Sequence, residues 1–133
     1  MIEGRASLVI HSGDYRYDYS HPRRIKNILR TFPHLKVDAA HFGGWSIYDL
    51  ALEYMEDEQC FMDCSSSFAF LGHRRAKELI RIYGADRILF GSDFPMWAPA
   101  DELEFLRQLD LTDQEMELIT WRNAERFVGM DIN

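Results

Sequence analysis

The sequence lacks the features that mark membrane proteins, secreted proteins and nucleic-acid-binding proteins. No apolar run in its 133 residues approaches the roughly 20 that a membrane-spanning helix needs, and no secretory signal peptide is visible. Acidic residues outnumber basic ones by 22 to 15, and the formal charge of −7 argues against a clustered basic surface for nucleic acid. We therefore expect a cytoplasmic protein that binds no membrane and no nucleic acid.

Cysteine is scarce as well, since the chain has only Cys60 and Cys64, in the stretch Cys-Phe-Met-Asp-Cys. In a strand both side chains point to the same face, but they lie about 13 Å apart, which is too far for a disulfide bond. We interpret both as reduced thiols in the core, rather than as metal ligands or a redox pair.

What the sequence does contain is the composition of one folded domain. It is 47% hydrophobic and 28% charged, and its length allows a buried core. Ile2-Glu3-Gly4-Arg5 matches a protease recognition sequence that is often placed before recombinant proteins, so we treat residues 1–5 as a possible leader. Residues 6–133 are expected to form the domain.

Short apolar segments alternate with helical patterns along the chain. Strands are predicted at residues 6–11, 35–41, 60–65 and 88–90. Amphipathic helical patterns follow the strands, and Thr112-Asp113-Gln114-Glu115 is a capping box that opens a last helix. The acidic run Glu56-Asp57-Glu58 is interpreted as a solvated exit from the second helix. Strict alternation predicts an α/β fold of four parallel βα units with right-handed crossovers, plus a C-terminal helix.

Three polar side chains stand where predicted strands end: His11, His41 and Asp93. Because the carboxyl ends of parallel strands share one rim, we expect these side chains to converge. Two imidazoles and a carboxylate suit Zn²⁺, Mn²⁺ or Fe²⁺, and a bound ion would create a nucleophile from water at neutral pH. Asp93 would ligate the ion or accept the proton of that water. The alternatives are hydrogen-bonded structural histidines and an aspartate that caps a turn.

Several blocks of the sequence also resemble a known family in their order and spacing. They are His-Ser-Gly-Asp at 11–14, Phe-Pro-His-Leu-Lys at 32–36, Ala-His-Phe-Gly-Gly at 40–44, Gly-Ala-Asp-Arg-Ile-Leu-Phe-Gly-Ser-Asp-Phe-Pro at 84–95 and Asn-Ala at 123–124. Together they resemble the amidohydrolase superfamily, in its branch of aminocarboxymuconate-semialdehyde-decarboxylase-like metal-dependent hydrolases. The resemblance covers nearly the whole chain.

This resemblance implies a fold and a role for each candidate residue. The four βα units would be the fifth to eighth units of a (β/α)₈ TIM barrel, so the chain would be its C-terminal half. His11 resembles the metal ligand that ends the fifth strand, and His41 resembles the residue that binds a second metal or positions water and substrate. Asp93 resembles the metal ligand and proton acceptor of the eighth strand. The implied cofactor is a divalent metal, zinc first, with manganese or iron as alternatives.

One departure from the family is as informative as the match. Family members carry a His-x-His pair on the first strand, whereas no two histidines are two apart here, and a complete barrel needs roughly 200 residues. We therefore expect an incomplete enzyme that acts on a small molecule, either by metal-activated hydrolysis of a C–N or C–O bond or by decarboxylation. It would self-associate as a homo-oligomer or pair with a missing N-terminal half-barrel. The alternative is an inactive half-barrel that serves as an assembly or interaction module.

Overall fold

Four parallel strands form the centre of the structure, a computed structural model that describes residues 6–129. In chain order, which is also their order in the sheet, the strands are β1 (Ser7–Ile10), β2 (Lys36–Ala39), β3 (Phe61–Asp63) and β4 (Ile88–Leu89). Each strand pairs in parallel with the next one. The predicted α/β fold of four parallel βα units is confirmed, while the possible leader at residues 1–5 lies outside the described residues.

Helices follow every strand, as the alternating pattern predicts. They are α1 (Pro22–Thr31), α2 (Tyr48–Met55), α3 (Phe68–Tyr83), α4 (Pro99–Arg107), α5 (Asp113–Glu117) and α6 (Asn123–Val128). A 3₁₀ turn at Ala85–Arg87 precedes β4, and a π-helical turn at Leu118–Arg122 joins α5 to α6. The predicted capping box is formed, with both of its hydrogen bonds, at Thr112 and Glu115. Of the helices within residues 6–129, none combines the length and the apolar composition of a membrane span.

The two faces of the sheet have different surroundings. Alternate strand residues point to opposite faces, and those of one face pack in the core against the helices with no exposed surface: Val37, Ala39, Met62 and Ile88. The other face, which we call the inner face, carries Val9, Asp38, Asp63 and Leu89. These four residues line one open cavity of about 520 Å³, and Val9 is 62% exposed. The inner face is therefore uncovered over part of its area.

Helix α6 covers the amino ends of the strands on this inner face. Ser7 Oγ donates a hydrogen bond to the carbonyl oxygen of Phe127, and Lys36 Nζ donates one to that of Arg126. The ring of Phe127 meets that of Phe61 at a centroid distance of 5.5 Å. Because Ser7, Lys36 and Phe61 are the first residues of their strands, α6 leaves the carboxyl ends open.

Two expectations about individual residues have different outcomes. Cys60 and Cys64 are buried and unbonded, which confirms their interpretation as core thiols. The interpretation of the acidic run as solvated is wrong for Glu58, which is only 8% exposed. Its carboxylate lies 2.8 Å from the guanidinium of Arg30 and 3.5 Å from Nζ of Lys26. These basic partners come from α1, so the sequence around Glu58 gave no sign of them.

Candidate active site

His11 and His41 meet just beyond the carboxyl ends of β1 and β2. Nε2 of His41 lies 3.1 Å from Nδ1 of His11, and the two rings are inclined by 69° at a centroid distance of 5.0 Å. His41 is buried, whereas His11 is exposed on the rim. The structure thus brings together the two histidines that the strand-end positions predicted to converge.

The outer nitrogen of each ring faces a backbone carbonyl. Nε2 of His11 lies 3.0 Å from the oxygen of Gly13, and Nδ1 of His41 lies 2.9 Å from that of Ser65. Since a carbonyl oxygen only accepts hydrogen bonds, both outer nitrogens carry a hydrogen. The inner nitrogens, Nδ1 of His11 and Nε2 of His41, therefore face each other as the two ring atoms that carry lone pairs in the neutral rings.

This histidine pair fits the requirements of a divalent metal. Two nitrogens that each lie about 2.1 Å from one ion, at tetrahedral to octahedral angles, are about 3.0 to 3.4 Å apart, which includes the 3.1 Å separation of the inner nitrogens. A histidine that binds metal also donates its other N–H to a carbonyl or carboxylate, as both rings do here. Within residues 6–129, however, no three His, Cys, Asp or Glu side chains are grouped closely enough to hold an ion.

Asp93 reaches the same rim from the loop after β4. It is exposed, and its Oδ2 accepts a hydrogen bond of 2.7 Å from Ser66 Oγ, which in turn accepts one of 3.1 Å from Trp97 Nε1. His11, His41 and Asp93 all line both the inner-face cavity and a second cavity of about 350 Å³ above it. The three predicted residues therefore share one mouth, and their roles as ligands stay predictions.

Asp63 supports His41 and was not identified from the sequence. Its Oδ1 accepts hydrogen bonds from the backbone N–H groups of His41 and Ser65, both at 3.1 Å, and from the Ser65 hydroxyl. Burial alone would raise the pKa of Asp63, but the hydrogen bonds from Asp38, Ser65 and His41 outweigh burial and lower it. The ionised carboxylate thus ties the loop that carries His41 to the loop after β3.

Aromatic side chains form the walls of the second cavity, and they too were missed by the sequence analysis. Trp45 and Phe70 meet edge to face at 5.3 Å, and Trp97 lines the same space. Arg16 stands on its rim in an ion pair of 2.8 Å with Asp14, and its hydrogen bonds lower the pKa of Asp14 to about 2. Flat apolar walls suit a planar ligand.

Left-handed backbone conformations recur in the loops around this mouth. Residues other than glycine that adopt a positive φ there include His41 at 59°, Phe42 at 50°, Ser66 at 53° and Asp93 at 62°. Such conformations are uncommon for residues with a Cβ atom, and they cluster at functional sites because the surrounding structure must hold them. Their position supports a functional interpretation of this rim.

Comparisons with known proteins agree with this architecture. A family model described as amidohydrolase matches residues 1–130, while the search of curated proteins found no match. A structure similar to this one is the uncharacterized TIM-barrel protein Bb4693 from Bordetella bronchiseptica, at 25% identity and a TM-score of 0.75, with 95% of this chain and 46% of that chain covered.

Two decarboxylases share the fold. One is dihydroxybenzoic acid decarboxylase from Polaromonas sp. JS666 with bound manganese, at 19% identity and a TM-score of 0.63, covering 82% of this chain and 39% of that one. The other is 5-carboxyvanillate decarboxylase from Sphingomonas paucimobilis, at 15% identity and a TM-score of 0.67, covering 94% and 50%. The chain thus spans about half the length of these structures or less, and the predicted half of a TIM barrel is confirmed.

Proposed function

The chain belongs to the amidohydrolase family, whose model matches nearly all of it, and from this premise we propose that it is the C-terminal half of a metal-dependent hydrolase or decarboxylase. The observation that carries the proposal is the contact of His11 with His41. Their inner nitrogens face each other, and their outer nitrogens donate hydrogen bonds to backbone carbonyls. No feature of the described residues favours the alternative of an inactive assembly module.

Each residue at the rim has a specific role in this proposal. His11 and His41 hold a divalent ion through Nδ1 and Nε2, and Asp93 is a further ligand or the acceptor of a proton. When bound, the ion polarises a substrate oxygen or activates a water molecule. The carbonyls of Gly13 and Ser65 fix the orientation of the two rings, and zinc, manganese and iron all suit these donors. The manganese in the Polaromonas decarboxylase supports manganese as an alternative to zinc.

A small planar carboxylic acid is the substrate class that the cavity and the two decarboxylases support together. Trp45, Phe70 and Trp97 offer flat apolar surfaces next to the histidine pair. The two decarboxylases that share the fold are named for aromatic acids, which supports the same class. Because the chain spans about half of such structures, this activity belongs to the completed barrel rather than to the chain alone.

The first prediction tests the metal centre in the isolated chain. We expect weak binding of Zn²⁺ or Mn²⁺, with less than one equivalent retained after dialysis, because the histidine pair lacks a complete ligand set. Replacing His11 by alanine should weaken binding by at least about tenfold, since even partners that only orient metal ligands have effects of this size. Calorimetric titration and elemental analysis measure both quantities.

The matched control is His73→Ala, because His73 is an exposed histidine that stacks on Phe105. This variant should bind metal as the unmodified chain does. Tightly held stoichiometric zinc in the isolated chain would contradict the proposed incompleteness. Unchanged affinity in His11→Ala would contradict the proposed site itself.

A further inference from the structure

The hydroxyl group of Ser66 lies between two side chains of the candidate active site. Ser66 belongs to the loop after β3 and is only 7% exposed. Its Oγ donates a hydrogen bond of 2.7 Å to Oδ2 of Asp93 and accepts one of 3.1 Å from Nε1 of Trp97. The proposed function gives Asp93 a chemical role and gives Ser66 none.

The chemistry of the three groups fixes the direction of both hydrogen bonds. An indole N–H only donates, an ionised carboxylate only accepts, and a serine hydroxyl has a single hydrogen. Ser66 must therefore accept from Trp97 and give its only hydrogen to Asp93. Within residues 6–129, Oδ1 of Asp93 accepts no hydrogen bond, so this second oxygen is free to meet a group that enters the mouth.

The backbone of Ser66 indicates that its hydroxyl is the part of the residue that matters. Its φ of 53° is in the left-handed region, which glycine adopts more readily than a residue with a Cβ atom. Strained conformations of this kind persist where the surrounding structure holds them, and they cluster at functional sites. What serine contributes here and glycine lacks is the hydroxyl that joins Trp97 to Asp93.

The same loop also orients the histidine on the other side of the mouth. The carbonyl oxygen of Ser65 lies 2.9 Å from Nδ1 of His41. Two consecutive residues thus hold His41, which follows β2, and Asp93, which follows β4. Outer hydrogen bonds of this kind orient the side chains of metal sites, and their loss typically lowers metal affinity about 10- to 100-fold.

Trp97 connects this arrangement to the cavity above the histidine pair. It is half-buried and lines the cavity of about 350 Å³ together with Ser66 and Asp93. Because its only polar hydrogen is engaged by Ser66, what Trp97 offers to a ligand in that cavity is apolar surface. A ligand that displaced the ring would also disturb the hydroxyl that orients Asp93.

We propose that Ser66 is a positioning residue for Asp93, and that Trp97 sets the direction of its hydroxyl. Ser66 holds Oδ2 of Asp93, which leaves Oδ1 as the oxygen that serves the metal centre. This inference rests on the proposed function, since it concerns how Asp93 takes part in a site at the histidine pair. Ser66 and Trp97 act through Asp93 and do not themselves bind the ion.

A double-mutant cycle of metal binding tests this role in the chain itself. Ser66→Gly removes the hydroxyl at a backbone position that glycine tolerates, so the melting temperature should stay within about 3 °C of that of the original chain. Calorimetric titration with Mn²⁺ should show an affinity that is lower by at least about tenfold. In an Asp93→Ala background, Ser66→Gly should cause no further loss, because the two residues act as one unit.

Two other variants make the test specific. Trp97→Phe keeps an aromatic wall but removes the N–H, so it should lower Mn²⁺ affinity less than Ser66→Gly does. Thr120→Ala is the matched control, because it removes a hydroxyl that donates to the carbonyl of Met116 and lines neither cavity. This control should bind Mn²⁺ as the original chain does. Ser66→Ala is the test variant if Ser66→Gly does not fold.

The indole N–H of Trp97 provides a second measurement, which needs no metal. The chain has three tryptophans, Trp45, Trp97 and Trp121, so its proton–nitrogen NMR spectrum has three indole signals. Ser66→Gly removes the acceptor of the Trp97 N–H, so the Trp97 signal should move towards the position of a solvent-exposed indole. The signal of Trp121, which lines neither cavity, is the internal reference and should not move.

These measurements separate failure of this inference from failure of the proposed function. An unmoved Trp97 signal in Ser66→Gly would overturn the inference, and so would an equal loss of Mn²⁺ affinity with and without Asp93. Affinity that falls in His11→Ala but not in Ser66→Gly would overturn the inference alone. Affinity that falls in neither variant would contradict the proposed function as well.

A purely structural role of Ser66 has a different signature. It would lower the melting temperature together with the Mn²⁺ affinity, and the loss would persist in the Asp93→Ala background. That result would overturn the proposal.

Discussion

Asp38 has a very different affinity for its proton in the folded and unfolded chains. Burial, and then the charge of Asp63, raise its pKa from 3.8 to about 9 on folding. Above about pH 4 the unfolded chain releases this proton, while the folded chain retains it. The folded state therefore binds more protons over this range, and its stability falls as the pH rises from about 4 towards about 9.

This difference leads to a prediction about a single residue, Asp38. Asp38→Asn removes the titrating group, so the free energy of unfolding of the variant should increase relative to the original chain as the pH rises. The upper limit of this increase is about 1.4 kcal/mol per pH unit. Urea unfolding at pH 5, 6, 7 and 8 measures it, with the exposed acid variant Asp57→Asn as control. A constant difference between Asp38→Asn and the original chain would show that Asp38 does not titrate as described.

The sequence identified some residues of the site and missed others for a common physical reason. His11 and His41 could be found because each follows an apolar segment, and parallel strands place such ends together. Asp63 was overlooked because its importance lies in contacts with the loop that carries His41, 22 residues away. The aromatic pair likewise joins distant parts of the chain, since Trp45 follows β2 and Phe70 lies in the first turn of α3. Long-range contacts of this kind leave no local pattern.

At the scale of elements, the last helical segment, which runs from α5 through the π-helical turn to α6, has a larger structural role than its sequence indicates. Its capping box at Thr112 and Glu115 was predictable because both hydrogen bonds are local. Its placement was not, since it depends on distant groups: Asn123 Nδ2 donates to the carbonyls of Ala85 and Ile88 at 2.7 and 2.8 Å. Through these hydrogen bonds and the contacts of α6, the segment connects the start of β4 to the amino ends of β1, β2 and β3.

The element-scale prediction concerns the residue by which α6 covers the strands. Phe127 is 6% exposed and packs on Phe61, so Phe127→Ala should lower the free energy of unfolding by about 3 kcal/mol. Its neighbour Val128 is 47% exposed, and Val128→Ala should change stability by no more than about 0.5 kcal/mol. Urea unfolding of both variants provides the comparison. Equal small effects would mean that α6 does not contribute to covering the inner face.

At the scale of the whole molecule, the two edges of the sheet differ. β1 and β4 are the edge strands, and next to β4 the N–H of Phe90 donates a hydrogen bond of 2.9 Å to the carbonyl of Ile119. On β1, Val9 is 62% exposed on the inner face. An exposed edge strand is a template for pairing with another strand. Both self-association and a first half-barrel would cover it.

Hydrogen exchange provides the prediction at this scale. In the isolated chain, the backbone N–H groups of β1 (Ser7–Ile10) should exchange faster than those of β2, because β1 pairs on one side and β2 on both. In a barrel completed by a first half, β1 should become as protected as β2, while β3 should change little. Dilution separates self-association from closure, since protection by a second copy falls as the concentration falls. Equally slow exchange in β1 and β2 of the dilute isolated chain would show that this edge is already covered and needs no partner.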